Sequence, residues 1–248
     1  MRIAAISDIH GNRHALEAVL ADIGRRGVDR TVNLGDILSG PLDPVATADR
    51  LMNLKLPTIR GNHERQLLSQ SPEHMIASDR VTHEALGKCH RAWLDSLPET
   101  IRFDDVLLCH GTPTSDLIYL LDHVEEAGAR AATAAEIEAK LGDEPARLIL
   151  CGHTHLQREY RRPNGALVVN PGSVGLQAYD DDHPFPHVME MGDVRARYAI
   201  VERVGDEWRA ELIAVDYDHV PPAAQARAKG REDWAYALET GRVAGPIT

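Results

Sequence analysis

Five short apolar runs in this chain each end in a residue able to ligate a metal ion. "RIAAIS" (2–7) is followed by Asp8, Ile9 and His10, "RTVNL" (30–34) by Gly35 and Asp36, and "PTIR" (57–60) by Gly61, Asn62, His63 and Glu64. "VLLC" (106–109) runs into His110 and Gly111, and "ARLILC" (146–151) into Gly152, His153, Thr154 and His155. Apolar runs of this length, bounded by polar residues, read as buried strands. In an open α/β sheet the ligand crevice lies beyond the carboxyl ends of the strands. Five separate segments therefore deliver Asp, Asn and His to one edge. A single pair such as "GHTH" is expected by chance in a chain with 13 histidines among 248 residues, so the order of all five carries the inference.

Helical spacing fills the gaps between these runs. In 12–27, Ala15, Leu16, Val19, Leu20 and Ile23 share one face, with Asn12 as cap and Gly27 as stop. Helices are also predicted over 44–56, within 73–97 and over 132–142, and 99–109 reads as a strand pair joined at Asp104-Asp105. After residue 156 the pattern changes. A hairpin around Asn164-Gly165, a second over 196–217 and a helix over 222–240, with Trp234 and Leu238 inward, close the chain. No internal repeat or linker interrupts it. Residues 1–248 read as one domain of α/β (α+β) class, helices on both sides of the sheet. In it 196–240 is a hairpin plus helix appended to the core, and 178–193 is a surface insertion that is inert or merely steric.

Composition narrows the partners. Hydrophobic residues at 43% and charged residues at 26% suit a soluble globular chain. With no 18-residue apolar run and no signal-peptide pattern at the start, no membrane partner and a cytoplasmic location are expected. A net charge of −11 repels nucleic-acid backbones and anionic lipid, so non-specific binding to either is disfavoured. Cys89, Cys109 and Cys151 form no CxxC pair and fit a reducing compartment, the last two as small buried hydrophobes.

Asp8, His10, Asp36, Asn62, His110, His153 and His155 offer imidazole, carboxylate and amide ligands suited to Mn, Fe, Zn, Co or Ni, with manganese placed first. Seven ligands are too many for one tetrahedral ion. They suit two divalent ions sharing a carboxylate, an arrangement that can hold a hydroxide and clamp a phosphoryl oxygen. Two dications and two aspartates leave a local charge of about +2, which draws in a compact anion even on an acidic protein.

The motifs D-x-H, GD, GNHE, a strand-end His and GHxH, in this order across residues 6 to 175, resemble the calcineurin-like metallophosphoesterase superfamily. "GPLDP" (40–44) and "NPGSVG" (170–175) are similar to its small bacterial, phosphodiesterase-like branch. The resemblance implies a β-sandwich of two mixed sheets flanked by helices, with the metal site at the carboxyl ends of the strands. It implies one metal on Asp8, His10, Asp36 and His155, and a second on Asp36, Asn62, His110 and His153, with Asp36 bridging and catalytic. His63 would protonate the leaving oxygen as general acid. Where the protein phosphatases of this superfamily read GDxVDRG, this chain reads "GDILSGP". Ser39 stands in place of the aspartate that orients the acid, and Gly40 in place of the arginine.

The expected function is hydrolysis of a phosphodiester or small phosphomonoester, with a small phosphate-ester or nucleotide-like substrate. A protein serine/threonine phosphatase and a non-catalytic scaffold such as the retromer subunit are the alternatives on this fold. A scaffold need not keep its ligands, and here all seven are kept. Arg60 and Asn12 are candidate substrate contacts, Asn12 also being explained as a helix cap. Thr112, Ser115 and Tyr119 follow a ligand closely enough to shape a pocket.

Overall fold

A computed structural model describes residues 1–245. The chain runs β1 (Arg2–Ile6), α1 (Arg13–Arg26), β2 (Arg30–Asn33), α2 (Pro44–Leu54) and α3 (Asn62–Ser69). Helices α4 (Ala77–Ala85) and α5 (Lys88–Ser96) lead into β3 (Ile101–Phe103), β4 (Val106–Leu108), β5 (Asp122–Glu125) and β6 (Gly128–Ala131). Then come α6 (Ala134–Leu141), β7 (Leu148–Leu150), β8 (Gln157–Arg161), β9 (Leu167–Pro171), β10 (Ala178–Asp181) and β11 (His187–Glu190). The strands β12 (Ala196–Val204) and β13 (Glu207–Val215) precede α7 (Val220–Ala228) and α8 (Glu232–Thr240).

Two mixed sheets, ordered β13-β12-β1-β2 and β3-β4-β7-β9-β8, face each other. The period-2 alternation of the strands decides which side chain goes where. Ile3 and Ala5 of β1, Val106 and Leu108 of β4, and Leu148 and Leu150 of β7 meet between the sheets, around the fully buried Trp208. Ala4 and Ile6 point the other way, onto Leu16, Val19 and Ile23 of α1. Leu107 and Ile149 pack outward against Ile137 and Leu141 of α6. Alternate residues of a single strand thus serve two apolar layers, giving the expected helix-flanked sandwich. Burying each such side chain is worth about 1.5–3 kcal/mol.

Four details differ from the sequence reading. "PTIR" is not a strand: it touches β2 through one parallel bridge, Asn33 to Thr58, because Pro57 lacks an N–H and α3 begins at Asn62. The C-terminal hairpin is no appendage, since β12 pairs with β1 and supplies the centre of the first sheet. The final helix is two, broken where Gly230 adopts φ +73° and ends α7. Residues 178–193 contain the hairpin β10–β11, and 122–131 hold a further hairpin, β5–β6, that alternation did not reveal.

Candidate metal centre

The ends of β1, β2, β4 and β7 converge, and those of β1, β2 and β7 continue into left-handed residues. Asp8, His10, Asp36, His153 and His155 have φ of 54°, 51°, 51°, 73° and 59°. They make up most of the non-glycine residues in that region among those described. Such a conformation costs about 1 kcal/mol per residue. Asp, Asn and His tolerate it better than other side chains, which helps explain their use here. The strain turns each side chain back across the strand end.

Glycines let these turns interlock. A Cβ on Gly61 would lie 2.2 Å from Asp36 Oδ1, and one on Gly152 would lie 2.0 Å from Ser7 Oγ. The "NPGSVG" segment clamps the first turn: Ser173 Oγ donates to Asp8 O at 2.7 Å and Gly175 N–H donates to the same oxygen at 3.0 Å.

Two compact ligand groups result, Asp8–His10–His155 and Asp36–His110–His153. All seven expected ligands meet at this one place, Asn62 included. His10 Nε2 and His155 Nε2 are 3.0 Å apart. Each ring donates its Nδ1–H to a backbone carbonyl, Ser39 O at 2.8 Å and Leu176 O at 2.7 Å. A carbonyl can only accept, so in both neutral rings Nε2 is an unprotonated lone pair, and the two lone pairs face each other. The second group gathers further acceptors around a single ring. His110 donates Nδ1–H to Leu34 O at 2.8 Å, turning its Nε2 to Asn62 Oδ1 at 3.2 Å and Asp36 Oδ2 at 3.1 Å. His153 donates Nε2–H to Leu117 O at 3.1 Å, which frees Nδ1. Acceptors converge here with too few protons to join them, and divalent cations fit what is missing.

Burial and charge set the protonation states. Burial pushes His10 down to about 4, His153 to about 3 and His155 well below its usual value, so all three are neutral imidazoles at neutral pH, as ligation requires. Burial, with Asp36 adding to it, lifts the Asp8 carboxyl to about 7. Despite burial, the Asp36 charge raises His110 to about 10, and Asp36 itself stays well below the usual carboxylate range. His63, facing Asp36 and Asp79, is raised to about 9 against its own burial.

Residues that sequence reasoning passed over hold the ligands in place. The buried Glu64 carboxylate accepts three backbone N–H groups, from Asp36 at 2.8 Å, Ile37 at 2.8 Å and Gly61 at 2.9 Å. "GNHE" contained the signal, since an acid three residues into a helix caps its start. Asn170 Nδ2 donates to Gly152 O at 2.7 Å, fixing the turn before His153. Asp79, on α4, accepts from both His63 and Ser39.

The cluster opens into a cavity of about 1210 Å³. Leu117, Ile118 and Tyr119 form one wall, β10 with the following Asp182–Pro184 turn another, and Trp234 of α8 a third. The 178–193 segment is more than an inert insertion: Tyr179 stacks edge-on to His155 at 4.6 Å and donates to His153 O. Its His187 is buried against Tyr119 at 3.0 Å. Thr112 and Ser115 bond each other and do not line the cavity. Neither candidate substrate contact faces it. Arg60 pairs with Glu99 at 2.8 Å, and Asn12 caps α1 while donating to Gly175 O.

A model of the calcineurin-like phosphoesterase superfamily domain matches residues 1–188. The chain belongs to this superfamily. It is 28% identical over 242 residues to an uncharacterized protein of Methanocaldococcus jannaschii, covering 87% of this chain and 88% of that relative. A metallophosphoesterase from Sphaerobacter thermophilus superposes with a TM-score of 0.76 at 27% identity, covering 97% of this chain and all of the other. A hypothetical protein from Pyrococcus horikoshii shares the fold, with a TM-score of 0.73 at 19% identity over 98% of this chain and 99% of its own. Among the described residues no helix is long and apolar enough to cross a membrane.

Proposed function

We propose that this superfamily member is a metal-dependent phosphodiesterase acting on a small diester. The observation that carries the reading is the opposed lone pairs of His10 and His155 at 3.0 Å beside a second acceptor group on Asp36. The residues fit one divalent ion on Asp8, His10 and His155 and another on Asn62, His110 and His153, with Asp36 shared. Such a pair, manganese first among the candidates, supplies Lewis acidity and a nucleophilic water at phosphorus. His63 lines the cavity with Nε2 3.9 Å from Asp36 Oδ2, placed to hand a proton to the departing alkoxide as the P–O bond breaks.

The lining favours a diester over a monoester. Asp122, Asp180, Asp181, Asp182 and Asp233 face the cavity, against Lys140 and Arg231. Lys140 Nζ is spent on the carbonyls of Tyr119 and Asp122, and Arg231 pairs with Asp233. Apart from His63, a phosphomonoester dianion would meet acids with no uncommitted Lys or Arg side chain in the described lining. A diester carries one charge and two organic arms, which suit Ile76, Leu117, Ile118 and Trp234. The same shortage of cations disfavours a phosphoprotein substrate. β12 at the sheet centre and α8 behind His10 support taking the chain as one functional domain.

The test is to strip the protein of metal, restore Mn²⁺, and compare bis-p-nitrophenyl phosphate with p-nitrophenyl phosphate. Metal-dependent turnover with the diester preferred, lost in Asp36→Asn, is the expected result. A monoester preference would overturn the diester reading. No turnover with Mn²⁺, Co²⁺ or Ni²⁺ would overturn the enzyme.

A further inference from the structure

The proposed acid needs a partner that its own motif does not supply. At the position where related phosphatases carry an aspartate, this chain has Ser39, fully buried and too short to reach the ring as a carboxylate does. Asp79, 40 residues further on, fills the role from a different element. It is buried in α4, and its Oδ1 accepts the His63 Nδ1–H at 2.9 Å and the Ser39 hydroxyl at 2.5 Å.

A carboxylate only accepts, so Asp79 fixes the proton on Nδ1 and turns Nε2 toward the cavity. It also stops the ring from flipping. Asp79 is itself held on both sides. Thr82, one turn further along α4, accepts the Gly40 N–H at 3.1 Å and lies 3.1 Å from Leu38 O, tying the helix to the "GDILSG" turn. Ser78, its neighbour, accepts from Arg231 at 2.9 Å, tying α4 to the loop before α8.

We propose that Asp79 is the positioning residue for His63, braced by Ser39, so that the acid-orienting carboxylate of this enzyme resides on α4 rather than in the GD motif. The inference rests on the phosphodiesterase reading above and deepens it. A correctly oriented acid matters most when the leaving oxygen is strongly basic, and least when it departs readily as an anion.

The experiment compares Asp79→Asn, Ser39→Ala, His63→Ala and the double variant His63→Ala/Asp79→Asn in the manganese-loaded protein. The substrates are bis-p-nitrophenyl phosphate, a good leaving group, and diphenyl phosphate, a poor one. Asp79→Asn is expected to lower kcat on diphenyl phosphate by roughly 10–100-fold, and by a clearly smaller factor on the nitrophenyl diester, with metal content retained. The double variant is expected to be no slower than His63→Ala alone. Equal losses on both diesters, loss of metal, or losses that multiply in the double variant would each overturn the role. If Asp79→Asn does not fold, Ser39→Ala carries the test: it should show the same leaving-group dependence at smaller amplitude, and its absence would overturn the proposal. A wild-type protein inert to both diesters would remove the reaction itself, whereas an active wild type with uniform losses would remove only the positioning role.

Discussion

Glu64 allows a prediction to be worked atom by atom. Its Oε2 accepts the N–H groups of Asp36 and Gly61, and its Oε1 accepts that of Ile37. Glu64→Gln keeps the shape but offers one oxygen. The better orientation keeps that oxygen on Asp36 and Gly61 and turns an NH₂ toward the Ile37 N–H, leaving one buried donor unpaired at about 1–3 kcal/mol. The two surviving bonds lose their charge assistance, at about 0.5 kcal/mol each. Burial first, and then the Asp36 charge, raise the Glu64 carboxyl above its ordinary value, so neutralising it returns part of that loss. The net is about 2 kcal/mol, which in a domain of this size lowers Tm by about 4–8 °C. Glu64→Ala leaves all three donors unpaired in a void and should cost about 3–5 kcal/mol. Thermal denaturation of the metal-free proteins, followed by circular dichroism, reads both. Because the same carboxylate sets the Asp36 turn, the second metal should also bind more weakly in Glu64→Gln. A Glu64→Gln protein with wild-type Tm and wild-type metal uptake would refute this account of the turn.

Three further outcomes are expected. Metal uptake should tighten as pH rises, by about tenfold per unit for each proton displaced, because His110 is held protonated to about 10 in the metal-free state and must lose that proton to ligate; calorimetry in buffers of different ionisation enthalpy that finds no proton release would contradict it. Gly61→Ala, with its Cβ 2.2 Å from Asp36 Oδ1, should push the shared carboxylate aside and lower turnover by on the order of 100-fold at saturating Mn²⁺, whereas full activity would show that the turn has slack. Chelation should destabilise the fold: free metal at a hundred times its Kd is worth about 2.7 kcal/mol, so adding a chelator should lower Tm by about 5–10 °C, and an unchanged Tm would count against resident ions.

What was legible in the sequence follows from where each residue sits. Six of the seven candidate ligands follow strands, and strand topology brings strand ends together whatever the intervening helices do, so those six could be assembled from order alone; Asn62, which opens α3 after a segment that is no strand, could not. The hairpins at 122–131 and 178–193 were not legible, because their short polar strands are stabilised by each other and by Tyr119 and Tyr179 at the cavity wall, with little alternation. Arg60 was a candidate substrate contact because it directly precedes "GNHE". Its direction depends on Glu99, which no local pattern links to it.

Asp79 marks where reading by motif stops. A motif records residues whose spacing is fixed by one strand and one turn. The bond from Asp79 to His63 depends instead on how α4 docks on the "GDILSG" turn, which Thr82 and Ser78 decide through contacts to Gly40 and Arg231. The absence of an aspartate at position 39 was visible, but its replacement was not, because any buried acid on any packed helix would satisfy the histidine equally well. The ligand set has no such freedom. Four imidazoles and two carboxylates must converge within a few ångströms, and five of the six do so from left-handed backbone, a strain of roughly 5 kcal/mol in total. A site that demanding can be built from few positions, whereas a single hydrogen bond to a ring nitrogen can be supplied from many. The candidate metal ligands therefore stay at the strand ends where the sequence announces them, while the residue proposed to aim the acid is free to move to another element.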